Sequence, residues 1–127
     1  MVLDSSALLA MLLGEPGGEL VVPVLTAASM STVSLAEIAG YYGRKGAPER
    51  ETRITLAALP IAWVPLDDEL AIKTGLLLPT TKSAGLSLGD RACLALAARL
   101  GVRAMTADRA WKPLGAQLGI DIELIRK

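Results

Sequence analysis

Short apolar runs alternate along this chain with stretches of helical periodicity. The first run, residues 1–3, ends at Asp4. Ser5 or Ser6 is then placed to cap a helix through Leu13, with Ala7, Leu8, Met11 and Leu12 at helical spacing and Gly14 closing it. Pro16 stands where a second helix would open, and a helix is predicted over residues 19–28, with Pro23 as the point of a kink or an early end. Residues 29–33 are compatible with a strand and lead into Ser34-Leu-Ala-Glu37, the spacing of a capping box. That helix is expected to run to about Lys45 and stop at Gly46.

Pro48 opens a further predicted helix, with Glu49, Arg50, Glu51 and Arg53 on its wet side and Ile54, Leu56, Ala57 and Leu59 facing in. Residues 61–66 read as a buried strand. Asp67, Asp68 and Glu69 then place three acids in the first turn of a helix that Pro79 ends or bends. Ser87-Leu-Gly-Asp90 repeats the cap-like spacing ahead of a strongly apolar helix over residues 91–100, which ends at Gly101. A strand over 102–106, a short helix over 110–118 and a last strand over 120–125 complete the pattern. Strands alternating with helices predict an α/β fold, a parallel sheet with helices on both faces.

Composition narrows the chemistry. The length of 127 residues fits one domain, residues 1–127. By size scaling about two-thirds of the surface is buried, enough for a core without disulfides or a structural metal. With 52% hydrophobic residues and no Phe, that core is aliphatic, and the surplus suggests a further covered face such as a dimer or partner interface. Net charge is zero, so contacts with nucleic acid must come from local patches. The single cysteine, Cys93, excludes an internal disulfide and a multi-cysteine zinc site, and is expected to be a small buried residue. No His is present, which removes histidine-based hydrolases, histidine-based ribonucleases and the usual zinc enzymes. Asp4 follows Met1 so closely that no leader is expected, and no apolar run approaches ~18 residues, so no membrane span and a cytoplasmic setting are expected.

In open α/β sheets ligands bind beyond the carboxyl ends of the strands. Asp4 ends the first strand, Glu37 follows the second by a short turn, Asp108 follows the 102–106 strand, and Asp90 lies in the first turn of the helix before it. Each acid also has a purely local explanation as a helix cap. Together they would repel: two charges ~4 Å apart interact by about 4 kcal/mol in a partly screened site. A helix N-terminus offsets only roughly 0.3–1 kcal/mol of that. A divalent cation is the natural compensation, and all-oxygen ligands favour Mg²⁺ or Mn²⁺ over Zn²⁺. Such a site suits phosphoryl transfer by activated water.

Val-Leu-Asp4-Ser-Ser-Ala-Leu-Leu-Ala, Ser34-Leu-Ala-Glu37-Ile, Leu88-Gly-Asp90-Arg-Ala and Thr106-Ala-Asp108-Arg-Ala-Trp111 resemble the PIN-domain family, in the length and motif order of VapC-type toxins of VapBC toxin–antitoxin pairs. The resemblance implies a three-layer α/β/α fold with a five-stranded parallel sheet of order 3-2-1-4-5. It implies Mg²⁺- or Mn²⁺-dependent endonucleolytic cleavage of RNA, a homodimer, and silencing by a cognate, VapB-like antitoxin whose tail lies near the active site. By motif position Asp4, Glu37, Asp90 and Asp108 are the metal-site and catalytic acids, with Thr106 and Ser6 as supporting hydroxyls. Some members carry a further acid two residues after the last aspartate, where this chain has Ala110; one metal or two stays open.

Arg109 and Lys112 flank Asp108 and are candidates for RNA or antitoxin contact, as are Arg44 and Lys45 in the densest basic group, which Arg50 and Arg53 extend. A solvated face is the plainer explanation for that group. Trp63 and Trp111 are expected to pack, and Tyr41 and Tyr42 to lie at an interface. Two other functions compete: a catalytically silent interaction module on the same fold, and a receiver-like phosphoacceptor domain. The second lacks an acid on its third strand and a well-placed late Lys.

Overall fold

The apolar runs form strands, and the strands join side by side as one parallel sheet. A computed structural model describes residues 1–127. Its strands are β1 (Val2–Leu3), β2 (Ser29–Ser31), β3 (Ala62–Val64), β4 (Ala104–Thr106) and β5 (Ile122–Leu124), in the spatial order β3-β2-β1-β4-β5. Every neighbouring pair is parallel. Parallel neighbours need long crossovers. These are supplied by α1 (Ser5–Leu13), α2 (Thr32–Arg44), α3 (Glu49–Ala57), α4 (Asp68–Leu76), α5 (Leu78–Thr81), α6 (Leu88–Leu100) and α7 (Lys112–Leu118). The chain winds outward from β1 to β3, then crosses back to β4 on the other side of β1. The strand order therefore reverses at the β1–β4 junction, which is where α/β sheets open a crevice for ligands.

Alternation of side chains across the sheet divides the core in two. Val2, Ala104 and Ile122 are in register and point to one face, where they meet Leu94 and Leu96 of α6, Leu70 of α4 and Trp111. Leu3 and its register partner Met105 point to the other face, against Leu8 of α1 and Ile38 of α2. Helix α6 is buried from Ala92 through Ala97, as its continuous apolar sequence requires, and Gly101 ends it with a left-handed φ of 65°. No helix is long and apolar enough to cross a membrane.

Several local expectations change. Asp4, rather than Ser5 or Ser6, caps α1, accepting from the Ala7 N–H. Residues 19–28 form no α-helix; two 3₁₀ segments, Gly18–Leu20 and Val22–Ala27, take their place. Pro23 has no N–H to donate, and the consecutive glycines Gly17 and Gly18 stand at the start of the first segment, so a regular α-helix lacks support there. Helix α2 starts earlier than expected, with Ser31 as its cap. Ser34 is thus interior and buried, and no capping box with Glu37 forms. Helix α3 buries no residue: Leu56 and Leu59 are partly covered, whereas Ile54 is 59% exposed and Ala57 is exposed. Asp67 is the cap of α4 and not a first-turn residue.

Candidate active site

Asp4 leaves β1 at the point of strand reversal, and its carboxylate is only 3% exposed. Burial of a charge is costly unless hydrogen bonds compensate. Three groups do so: the Thr106 hydroxyl donates to Oδ2 at 2.6 Å, the Ser6 hydroxyl donates at 2.8 and 2.9 Å to the two oxygens, and the Ala7 N–H donates at 2.8 Å. Desolvation still outweighs them, and the Asp90 charge adds to it, so the Asp4 carboxyl is pushed up to about 6. Ser6 also accepts from the Ala107 N–H at 2.9 Å, and Thr106 from the Asp108 N–H at 3.1 Å. Both expected supporting hydroxyls therefore bridge the ends of β1 and β4.

Asp90 lies in the first turn of α6, where it and Ser87 form a reciprocal capping box. Its carboxyl is raised, first by desolvation and further by the charge of Asp108, while the Ser87 contacts and Arg91 pull the other way. Asp108 is exposed and caps a 3₁₀ turn through the Ala110 N–H. Glu37 belongs to a different arrangement. It sits in the second turn of α2, and its Oε1 accepts a 2.6 Å hydrogen bond from Ser5, the residue after Asp4. Its carboxyl group lies against Gly89, the residue before Asp90. Beneath the group is Cys93, whose thiol is held well above its ordinary range by burial and then by the charges of Asp4, Asp90 and Glu37.

The four acids thus share one neighbourhood, linked through Thr106 and Ser6 on one side and through Ser5 and Gly89 on the other. No three carboxylates stand close enough, as arranged, to close around one ion. Their chemistry nevertheless fits a hard divalent cation: the donors are all oxygen, and one carboxylate is buried at a cost that a bound cation would offset.

The other candidates are dispersed. Lys112 is tied down, its ammonium donating to the Ile122 carbonyl at 2.7 Å. Arg109 is exposed and makes no ion pair. Arg44 and Lys45 lie at the far end of α2, roughly 10 Å along its axis from Glu37 at about 1.5 Å per residue. Each stacks over the Tyr41 ring at 5.7 Å. Arg53 pairs with Glu49 at 2.8 Å. Trp111 is fully buried and Trp63 packs partly covered against the core, in keeping with packing roles.

Ser5 and Gly89 also border the site, although local spacing offers Ser5 only as a cap and gives Gly89 no role. The bond from Ser5 to Glu37 spans 32 positions. The signal was the adjacency of Ser5 to Asp4. The Arg91 guanidinium donates to the Thr74 carbonyl at 3.2 Å, fastening the start of α6 to the last turns of α4.

The PIN-domain family profile matches residues 1–116. No curated protein matches the chain. Among solved structures, a toxin–antitoxin complex from Klebsiella pneumoniae superimposes with a TM-score of 0.68 at 19% identity, over 94% of this chain and 93% of that one. DNA-bound VapBC from Salmonella typhimurium gives a TM-score of 0.73 at 19% identity, over 98% of this chain and 96% of that one. At such identities the likeness speaks for the fold.

Proposed function

The chain belongs to the PIN-domain family, and from that premise we propose that it is a metal-dependent endoribonuclease, the toxin of a type II toxin–antitoxin pair acting in the cytoplasm. The observation that carries the reading is the gathering of acids from four remote segments at the strand reversal, around a carboxylate that is buried and pushed up to about 6. In this reading Asp4, Glu37, Asp90 and Asp108 hold Mg²⁺ or Mn²⁺. Bound there, such an ion would lend water activation and charge neutralisation at the scissile phosphate. Thr106 and Ser6 hold the Asp4 carboxylate in one orientation and keep it from rotating out of the crevice. Arg109, free of carboxylate partners at the rim, is suited to meet an RNA phosphate.

The partners proposed are a cognate antitoxin and a second copy of the chain. The two solved neighbours are toxin–antitoxin assemblies. Ile72 and Leu76, one turn apart on α4, are 59% and 72% exposed, the kind of apolar surface that association covers.

The test is RNA cleavage by the purified protein with Mg²⁺ or Mn²⁺. Cleavage is expected to vanish with chelator and in Asp4→Asn. Cleavage that survives either treatment removes the reading. One observation favours the silent interaction module instead: Asp4, Asp90 and Asp108 each also complete a local helix cap. Calorimetric titration of wild type with Mn²⁺ separates the two, since the silent module binds none.

A further inference from the structure

Three of the four acids are fixed by their own backbone. Asp4, Asp90 and Asp108 each accept from an N–H two or three residues away. Glu37 has no such tie. It lies in the interior of α2, where backbone N–H groups are already engaged in the helix, and its side chain has one more rotatable bond than the aspartates have. Free in water, its carboxylate would sample many positions around the crevice.

Two contacts restrict it. The Ser5 hydroxyl donates to Oε1 at 2.6 Å, a charge-assisted bond. On its other side the carboxyl group rests on Gly89: the three atoms nearest to a methyl placed on that residue are Oε1, Cδ and Oε2 of Glu37, all close enough to overlap it. Gly89 has an ordinary negative φ, so no backbone strain calls for glycine there. In the second position of a helix glycine costs stability relative to alanine. What its missing side chain provides is room for the Glu37 carboxylate. Ser5 follows Asp4 and Gly89 precedes Asp90. The seat is therefore built from the immediate neighbours of two other acids of the site, and its position is locked to theirs.

The geometry points to Ser5 and Gly89 as positioning residues that hold the Glu37 carboxylate facing the other acids, ready to bind a divalent cation. This rests on the nuclease reading above, because the ion is that of the same site. Neither residue touches the ion or the RNA; both act through Glu37.

Mn²⁺ titration of the whole protein, without RNA, tests this, with Asp4→Asn as the control for the site itself. Ser5→Ala and Gly89→Ala are expected to bind Mn²⁺ about tenfold more weakly than wild type, the size expected for losing one well-made charged contact. Ser5→Thr keeps the hydroxyl and is expected to stay within about threefold of wild type. In cleavage assays the Ala variants lower kcat and leave KM for RNA unchanged, since they remove no RNA contact. Thermal melting separates positioning from damage: Gly89→Ala is expected to melt at the wild-type temperature or above it while binding Mn²⁺ more weakly. Wild-type Mn²⁺ affinity in both Ala variants, with binding lost in Asp4→Asn, overturns the seat and leaves the nuclease reading standing. No Mn²⁺ binding by wild type overturns both.

Discussion

The Thr106 hydroxyl donates to Asp4 Oδ2 at 2.6 Å across 102 positions of sequence, and the Thr106 Oγ1 itself accepts from the Asp108 N–H at 3.1 Å. One hydroxyl thereby fixes where β4 ends relative to β1. Thr106→Val preserves shape and removes the donor, leaving a buried carboxylate short of a partner. The expected cost is about 1–3 kcal/mol in urea unfolding. Thr106→Ser is expected to recover most of it. Equal stability of Val and Ser variants would contradict this account.

The buried Asp4 carboxyl makes stability depend on pH in a set direction. Its pKa in the folded chain is raised from 3.8 to about 6, so between those values the folded state binds more protons than the unfolded state. Stability is then greatest below pH ~4 as far as this group is concerned, and it is lost as pH rises through ~6. The change amounts to roughly 3 kcal/mol at about 1.4 kcal/mol per pH unit. Metal-free protein is expected to unfold at lower urea at pH 7 than at pH 5, and Asp4→Asn to flatten that slope. Protons and Mn²⁺ compete for the same carboxylate, so Mn²⁺ affinity is expected to weaken below pH ~6.

Much of the fold was legible because the apolar pattern and the turn residues agree. All five strands fall within the runs read from sequence, and Gly14, Gly101 and Gly119 end helices with left-handed φ values of 68°, 65° and 69°. The Ser87–Asp90 capping box was legible for the same reason: every atom in it is local. The identical spacing of Ser34 and Glu37 misled. Ser31 lies one turn earlier and takes the cap, and the acid is free to reach Ser5 in another element. Local spacing cannot choose between two serines when tertiary contacts decide. The gathering of the acids followed from strand order, but the means of holding them did not, since Thr106, Ser6 and Ser5 act across long sequence separations.

The irregular stretch after α1 depends on a glycine that carried no functional signal. Gly17 has φ of +88°, and a methyl there would meet the backbone carbonyl of Ile125. Gly17→Ala is expected to destabilise the protein by at least ~2 kcal/mol, from left-handed strain plus a backbone clash. Gly46 has a similar φ of +81° but open space around it. Gly46→Ala is therefore expected to cost only about 1 kcal/mol. Denaturant midpoints of the two variants measure the difference; equal costs would mean that the Ile125 contact carries no weight.

Arg109 and Lys112 are three residues apart, yet their contacts assign them different work. The Lys112 ammonium is anchored on the Ile122 carbonyl at 2.7 Å, joining the start of α7 to β5. Lys112→Ala is expected to lower the melting temperature and to leave the salt dependence of RNA binding as it was. Arg109 is exposed with no carboxylate partner, one residue beyond Asp108. If it meets a phosphate, Arg109→Ala raises KM and reduces the slope of log affinity against log salt by about 0.7, the value for one contact to single-stranded RNA. Its melting temperature is expected to stay unchanged, because no contact within the fold is lost. The two slopes, measured on an Asp4→Asn background so that the RNA stays intact, decide the assignment. A smaller slope in Lys112→Ala and an unaltered one in Arg109→Ala would exchange their roles.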